Sequence, residues 1–415
     1  MLSDFPADWR ILPLEDCMAA LIDYRGKSPQ KTPFGIPLIT AKVVKGGHIN
    51  EPDEFIAADA FDAWMRRGMP EPGDVVMTTE APLGEVAQLD GRRVALAQRL
   101  ITLRGKSGFL DNTYLKYLMQ SAFVQDQILA RATGTTVLGI RQSELRRIHL
   151  CVPPISEQIA IAGILASLDR KIDLNRRMNE TLESMARAIF KSWFVDFDPV
   201  RAKAEGRQPV GMDAETAALF PAGFTSSPAG HIPSGWRPCK WGDLATLEYG
   251  KSLRTYSDNG GSYRVYGTNG PIGWHSEPLC PRPGIIIGRK GAYRGVHFSS
   301  APFFVIDTAF YLNPKLDLDL IWAFYEILAL DINGMDSGSA IPSTSRDDFY
   351  ALPVTLPSSG VVRALGQLIR PLFKKREAND SEAVTLAALR DALLPKLLSG
   401  EIRVRDAKVT VEAAL

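Results

Sequence analysis

Two long stretches of the chain repeat apolar residues at alternating steps of four and three. The first starts at Ile161, and the second starts 204 residues later, at Leu365. A mean step of ~3.5 residues is typical of a coiled coil, in which one stripe of a helix faces a partner helix. The seam positions that we assign are Ile161, Leu165, Leu168, Ile172, Asn175, Asn179, Leu182 and Ile189, then Leu365, Ile369, Leu372, Asn379, Leu386, Leu393 and Leu397.

Neither predicted helix can bury its stripe alone, since each would be roughly 55 Å long at ~1.5 Å per residue. The obvious partner for each is the other copy. A whole domain separates the two helices, so antiparallel pairing is easy, and it would place two globular modules at opposite ends of a rod. Asn175 and Asn379 match under the shift and would fix the register of the pair. The alternative is that they are solvated interruptions in two unrelated helices.

The globular segments before the helices also repeat. Each begins with a Trp-Arg pair, at Trp9 and at Trp236, and ends in alternating apolar residues closed by Pro153 or Pro357. Such alternation predicts a half-buried strand. The two tryptophans are interpreted as packing anchors.

The stretch ATLEYGKS, from Ala245 to Ser252, is close to a phosphate-binding G-x-x-x-x-G-K-[ST] loop. Such a loop needs a helix after it, whose N-terminus faces the phosphate. The residues that follow Ser252 are rich in turn formers. The stretch also recurs in the first module as Tyr24-Arg25-Gly26-Lys27-Ser28 without the leading Gly or Ala. We therefore expect no nucleotide site here.

We predict an α+β fold: two mixed α/β domains joined by two long helices that form an antiparallel coiled coil, with a pseudo-twofold internal repeat. A linker between the first helix and the second domain is rich in Pro, Gly, Ala and Ser, with at most one short helix near residues 214–220. The predicted segments are a first domain (1–152), a first helix (153–197), the linker (198–231), a second domain (232–357), a second helix (358–400) and a C-terminal tail (401–415).

Charge and composition narrow the function. The net charge is only +1, but residues 237–294 carry nine Lys/Arg against four Asp/Glu, and residues 307–348 carry two against eight. A basic face of this kind is consistent with phosphate binding; a mixed solvated surface is the alternative. Four scattered cysteines and five isolated histidines predict neither disulfides nor a metal site. The sequence has no apolar run of membrane-spanning length and no signal-peptide pattern, so we expect a cytoplasmic protein.

The order of module, helix, linker, module and helix resembles the specificity subunit of Type I restriction–modification systems. Segments that resemble the family's signatures occur in both halves, and the resemblance covers essentially the whole chain. They are residues 72–84, Ala97-Gln98-Arg99, residues 155–158 (where Ser156 would be an N-cap), residues 266–273, Gly288-Arg289-Lys290-Gly291 and Asp307-Thr308-Ala309. The second helix departs from the pattern, since it opens with PSSGVV and places Arg376 and Arg390 at seam positions.

The resemblance implies target-recognition domains that each read one half of a bipartite double-stranded DNA site. The paired helices would set the spacing and dock two methyltransferase subunits, and restriction–translocase subunits would join for cleavage. Since the two modules differ in sequence and length, the target should be asymmetric. We find no catalytic constellation, no cofactor loop and no metal spacing, so the chain is interpreted as a recognition subunit and not an enzyme. A coiled-coil adaptor that binds only proteins is the alternative.

Contacts to DNA should come from Arg, Lys, Asn and polar turn residues in loops. Candidates in the first module are Arg25, Lys27, Lys31, Lys42, Lys45, His48, Thr135 and Thr136. Candidates in the second are Lys251, Arg254, Tyr266, Asn269, Arg289, Lys290 and Arg294, with Tyr293 as a further aromatic residue.

Overall fold

The structure is a computed structural model that describes residues 5–24, 26, 28–227, 230–254, 256, 261–335 and 342–414. The chain divides into two compact units. Unit 1 contains Met1–Arg177 and Asn379–Leu415, and unit 2 contains Met178–Ala378. Each unit therefore combines one globular module with parts of both long helices.

The elements before the first long helix belong to unit 1. They are β1 (Arg10–Pro13), α1 (Leu14–Cys17), β2 (Met18–Asp23), β3 (Ile36–Ile39), β4 (Val44–Lys45), β5 (His48–Ile49), β6 (Phe55–Ile56), α2 (Phe61–Trp64), β7 (Val75–Thr79), β8 (Leu83–Gln88), β9 (Ala95–Leu96), β10 (Leu100–Gly105), α3 (Asn112–Gln120), α4 (Ala122–Ala130), α5 (Gln142–Arg146) and β11 (His149–Val152). The first long helix, α6 (Ile155–Phe190), continues into a π-helical turn, Lys191–Val195.

The later elements build unit 2 and close unit 1. They are α7 (Asp198–Ala204), α8 (Ala214–Ala218), β12 (Phe224–Ser227), β13 (Gly230–Pro233), β14 (Arg237–Lys240), α9 (Trp241–Leu244), β15 (Ala245–Tyr249), β16 (Tyr263–Gly267), β17 (Gly270–His275), β18 (Gly284–Gly288), β19 (Val296–Ser299), β20 (Phe303–Val305), β21 (Ala309–Pro314), α10 (Leu320–Leu328), α11 (Arg346–Ala351), β22 (Pro353–Leu356), α12 (Ser359–Ser399) and α13 (Val404–Glu412). Short 3-10 turns lie at Ala58–Ala60 and Ile332–Gly334.

Unit 1 is built on a four-stranded antiparallel sheet in the order β2-β10-β7-β8. Its strand β7, VVMTT, is buried along its whole length. Val75 and Met77 belong to the core cluster that includes α3, whereas Val76 belongs to the cluster of the small sheet β6-β3-β9. Because successive strand residues face opposite sides, a strand covered on both faces becomes a continuous apolar run.

Unit 2 repeats this arrangement. Its main sheet has the order β15-β21-β18-β19, and a second sheet has the order β17-β16-β20. In β18, Ile285 and Ile287 belong to one core cluster and Ile286 to the other. The matching helices α3 and α10 both begin at an aspartate, Asp111 or Asp319, whose carboxylate accepts backbone N–H groups of the first turn. The predicted duplication of a mixed α/β module is confirmed.

The two long helices pair in antiparallel fashion within each unit. In unit 1, Asp169 pairs with Arg390 and Asn175 donates to the Asn379 carbonyl and the Glu382 carboxylate, at 3.4 and 2.7 Å. Numbers therefore rise along α6 while they fall along α12, as predicted. In unit 2, Asn179 donates to a carbonyl of α12. Every assigned seam residue is buried or half-buried.

The structure explains the arginines at the seam of α12. Arg390 pairs with Asp169 of α6 at 2.9 Å, and Arg376 pairs with Glu183 of α6. Each cation on one helix thus meets a carboxylate on the other. Asn175 and Asn379 are both buried in this seam, which excludes the alternative of solvated interruptions.

Two local predictions, of the linker and of the N-cap, were wrong, and the segment predicted as a tail is a packed helix. The predicted linker contains a second helix, α7, and the hairpin β12–β13, and it buries Val200 and Phe220 in the core of unit 2. The predicted tail forms α13, whose Ala407 and Val411 lie one turn apart and pack into the core of unit 1. Finally, α6 begins at Ile155, so Ser156 lies inside the first turn and is not the N-cap.

Candidate DNA interface

Four loops meet at one edge of the main sheet in unit 2. The N–H of Arg289 donates to the Thr308 carbonyl at 2.9 Å, and the Arg289 carbonyl accepts from Thr344 at 2.8 Å. The N–H of Lys251 donates to the Val305 carbonyl at 2.9 Å. These backbone bonds hold the ends of β15 and β18, the β20–β21 turn and the start of α11 together.

Two arginines flank an exposed tyrosine at this edge. Tyr249, 49% exposed, has the Arg289 guanidinium carbon 4.7 Å from its ring centroid and that of Arg346 at 5.1 Å. Arg346 also donates from Nε to the Tyr350 hydroxyl at 3.2 Å. Hydrogen bonds with Tyr249 and Tyr350 raise the pKa of Arg346. Cation–π contacts of this kind hold guanidinium planes in fixed orientations.

The sequence analysis did not assign Tyr249 or Arg346 as candidates. In the sequence, Tyr249 stands out only as part of the stretch ATLEYGKS, from Ala245 to Ser252. Arg346 lies 97 residues further along the chain (346 − 249), and no local pattern connects it to that loop. Only the closure of the fold brings the two side chains together.

Several predicted residues of unit 2 are available at the surface. Lys251, Arg254 and Asn269 are exposed. Lys290 is half-exposed, with Nζ 3.8 Å from the Asp307 carboxylate. Together with Arg289 they give this edge a surplus of cations and amide groups suited to phosphates and base edges.

Two predicted residues of unit 2 are not available. Tyr266 is 7% exposed and packs in the core beside Cys280 and Phe303. Arg294 is 4% exposed, and its Nη2 donates to the Asn333 carbonyl at 2.6 Å. A DNA duplex cannot reach either side chain in this conformation, so we withdraw both as contact residues. Tyr293, in contrast, is 81% exposed.

In unit 1, two predicted lysines line an open cavity of about 320 Å³ with Gln98 and Arg99. Lys31 pairs with Glu54 at 2.9 Å, and Lys42 pairs with Asp53 at 2.8 Å. The carboxylates partly neutralise both lysines, which weakens their attraction for phosphate.

The remaining candidates of unit 1 fall into three groups. Lys45 is exposed, but His48 across the same hairpin is half-buried, and burial together with Lys116 lowers the pKa of its imidazole. Thr135 and Thr136 are exposed in a loop closed by hydrogen bonds between Thr133 and Gly139. Arg25 and Lys27 lie outside the described residues.

The phosphate-loop pattern has a different structure from a nucleotide site. Residues Ala245–Tyr249 form the strand β15, and the next N–H groups, of Gly250 and Lys251, donate to the carbonyls of Ala309 and Val305. Those groups are therefore not free to bind a phosphate. Gly250 is required here because a side-chain carbon at this position would lie 2.0 Å from the Ile306 carbonyl oxygen. These residues therefore do not form a phosphate-binding loop with free N–H groups.

Comparison with known proteins shows which family the chain is similar to. A sequence profile described as "Type I restriction modification DNA specificity domain" matches residues 69–184. The Type I restriction enzyme MjaIX specificity subunit of Methanocaldococcus jannaschii is 24% identical over 98% of this chain and 96% of its own length. Over nearly its whole length, the chain is therefore similar to a Type I specificity subunit.

Two further comparisons show the same similarity. The Type I restriction enzyme HindI specificity subunit of Haemophilus influenzae is 26% identical over 66% of this chain and 74% of its own length. The crystal structure of a Type I restriction–modification S subunit from M. genitalium superposes with a TM-score of 0.60 at 19% identity, covering 95% of this chain and 96% of that one. The latter likeness concerns the fold.

The segment at residues 155–158, which resembles a family signature, joins α6 to the first domain. Buried Gln158 accepts from the Asp111 N–H at 2.9 Å and donates to the Phe109 and Pro153 carbonyls at 3.0 and 2.7 Å. Beside it, Trp9 donates from Nε1 to the Glu157 carboxylate at 3.1 Å. These bonds orient the first recognition domain on its helix.

Further along the first long helix, α6, lies a buried charge cluster. The Asp169 carboxylate accepts from Lys116 at 2.8 Å, Tyr117 at 2.7 Å and Arg390 at 2.9 Å. Burial alone would raise the pKa of Asp169, but Lys116, Arg390 and Tyr117 outweigh it and hold the pKa at about 2. The cluster connects α3, α6 and α12 within unit 1.

The described residues were also compared with the requirements of a metal site and of a membrane-spanning helix. Across the described ranges, no group of three or more His, Cys, Asp or Glu side chains is placed to hold a metal ion. Among the residues that the structure describes, no helix is long and apolar enough to cross a bilayer.

Proposed function

We propose that this chain is the non-catalytic, cytoplasmic DNA-recognition subunit of a Type I restriction–modification complex. Each unit reads one half of a bipartite double-stranded DNA target. The paired helices dock two methyltransferase subunits, and restriction–translocase subunits join this assembly. The chain itself contributes sequence recognition and no chemical step.

The observation that carries the proposal is one scaffold used twice with different exposed side chains. Both units present the ends of two antiparallel strands and a helix start at a loop edge. In unit 2 this edge carries Tyr249 flanked by arginines, while unit 1 carries a cavity with Lys31, Lys42 and Arg99. Since base recognition depends on the donors and acceptors presented, the two half-sites should differ.

Exposed apolar residues on the helices support protein docking. Met178 and Met185 in unit 2 are exposed and lie seven residues apart on α6, which places them on one face of the helix. Apolar surface exposed on a paired helix is typical of a protein interface. We assign this face to a methyltransferase contact.

Genome-wide methylation sequencing tests the proposal. A host would carry a cognate methyltransferase with or without this chain. The expected result is a bipartite, asymmetric methylated motif that appears only when the chain is present. An active methyltransferase with no chain-dependent motif would overturn the proposal and favour the adaptor alternative.

A further inference from the structure

The two units carry opposite charges at one equivalent position of their scaffolds, and each of these charges forms an ion pair. In unit 1, the Thr79 N–H donates to the Arg99 carbonyl at 2.9 Å, and the Ile140 N–H donates to the Thr79 carbonyl at 3.0 Å. In unit 2, Arg289 takes the place of Thr79, with matching bonds to Thr308 and Thr344. The frame of hydrogen bonds is the same in both units.

The residue after this frame differs in charge. Glu80 follows Thr79 and forms a β-bridge with Gly139, whereas Lys290 follows Arg289 and forms a β-bridge with Ser343. Glu80 pairs with Arg99 at 2.9 Å, and Lys290 pairs with Asp307 at 3.8 Å. In unit 1 the carboxylate of the ion pair, Glu80, follows strand β7. In unit 2 the carboxylate, Asp307, precedes strand β21.

All four side chains remain half-exposed: Arg99 is 51%, Glu80 44%, Lys290 41% and Asp307 50% exposed. An exposed ion pair contributes little to stability, so DNA can open it at little cost. A guanidinium that binds guanine in two places discriminates by about 1–3 kcal/mol. The carboxylate beside each cation repels the phosphates of DNA. Phosphate contacts supply most of the affinity of a protein for non-specific DNA.

We propose that Arg99 in unit 1 and Lys290 in unit 2 read bases, and that Glu80 and Asp307 restrain them from binding the backbone of non-cognate DNA. This inference rests on the proposed function and assigns a specificity position within it. In unit 1, Glu80 pairs with Nε of Arg99 at 2.9 Å. Opposite polarity at one scaffold position gives the two half-sites different chemistry.

The experiment uses the full chain in complex with its methyltransferase and two duplexes, one with the motif found by methylation sequencing and one scrambled. The variants are Arg99→Ala and Glu80→Gln, with Arg92→Ala and Glu51→Gln as controls, because Arg92 and Glu51 form a similar exposed pair at 3.0 Å elsewhere in unit 1. Arg99→Ala should lower the ratio of cognate to scrambled affinity about 5- to 150-fold. Glu80→Gln should tighten scrambled binding and lower the ratio. The control pair should leave the ratio unchanged.

The reversed pair Glu80→Arg with Arg99→Glu keeps an ion pair in place and separates recognition from folding. It should melt like the parent and lose the cognate preference, with the methylation change confined to one half-site. Lys290→Ala should alter only the other half-site. Equal weakening of both duplexes by Arg99→Ala, or no change, would overturn the inference. A parent complex without any sequence preference would instead overturn the proposed function.

Discussion

Removal of the Asp169 carboxylate should destabilise unit 1 strongly. In Asp169→Ala, the Lys116 ammonium and the Arg390 guanidinium remain largely buried. The Lys116 ammonium also loses its acceptor. Breaking a buried ion pair by deleting one partner costs about 3–5 kcal/mol, because the remaining charge is uncompensated. Arg390 retains Asp391 at 2.7 Å, so we expect the lower half of that range.

Unit 2 provides the matched rescue. Counted from the capping residues Asp111 and Asp319, Lys116 corresponds to Phe324, and the 204-residue shift relates Asp169 to Phe373. The rings of these two phenylalanines lie 6.1 Å apart at 79°. The shift also relates Arg390 to buried Ala186. Apolar replacement of a buried ion pair is often neutral or stabilising.

The triple variant Lys116→Phe, Asp169→Phe and Arg390→Ala should therefore regain most of the stability that Asp169→Ala loses. The measurements are urea-induced unfolding and hydrogen exchange of the α3 peptide, Asn112–Gln120. A loss below about 1 kcal/mol for Asp169→Ala, or a triple variant as unstable as the single one, would refute the reasoning.

The same cluster predicts a pH dependence. The pKa of Asp169 is lowered from 3.8 to about 2 in the folded chain. A depressed pKa stabilises the fold above the unfolded value and loses that contribution as the pH falls from about 4 to 2. The loss should amount to about 2 kcal/mol, and it should disappear in the triple variant.

Three further outcomes are expected. Arg346→Ala should reduce the slope of log affinity against log salt by about 0.9 if it removes one phosphate contact, in anisotropy titrations with exposed Lys375→Ala as control; an unchanged slope contradicts this role. Ala407→Asp should destabilise unit 1 by about 2–5 kcal/mol because it buries a charge, whereas exposed Val409→Asp should not; urea unfolding compares them. Met185→Glu should weaken methyltransferase binding in co-purification while exposed Ser184→Glu does not; equal binding would exclude this face.

The repeat and the antiparallel pairing could be predicted because they depend on periodicity, which is local and recurs over many turns. The position of α13 could not. Ala407 and Val411 show the spacing of an apolar helix face, but the core that they enter includes, besides residues of α12, first-domain residues more than 200 positions earlier.

Exposure at the candidate interface was less predictable for the same reason. In the sequence, Lys251 and Arg294 are both basic residues of predicted loops. In the structure, Arg294 is buried and donates to the Asn333 carbonyl, whereas Lys251 is exposed. In the sequence, Arg99 stands out only as part of a segment that resembles the family. Its ion-pair partner Glu80 follows strand β7, whereas Arg99 precedes strand β10. Pairings between distant loops decide which cations are free.

The composition of unit 1 has a consequence for biosynthesis. Unit 2 is a continuous segment, Met178–Ala378, whereas unit 1 needs Asn379–Leu415 as well. Leu386, Leu393 and Leu397 complete its core, so a ribosome that has finished unit 2 has still not supplied them. Contacts of such long sequence separation form late. The first domain to be translated should therefore be the last to become stable. A prematurely terminated chain should contain a folded unit 2 and an incompletely folded unit 1, which chaperones or proteases can still recognise.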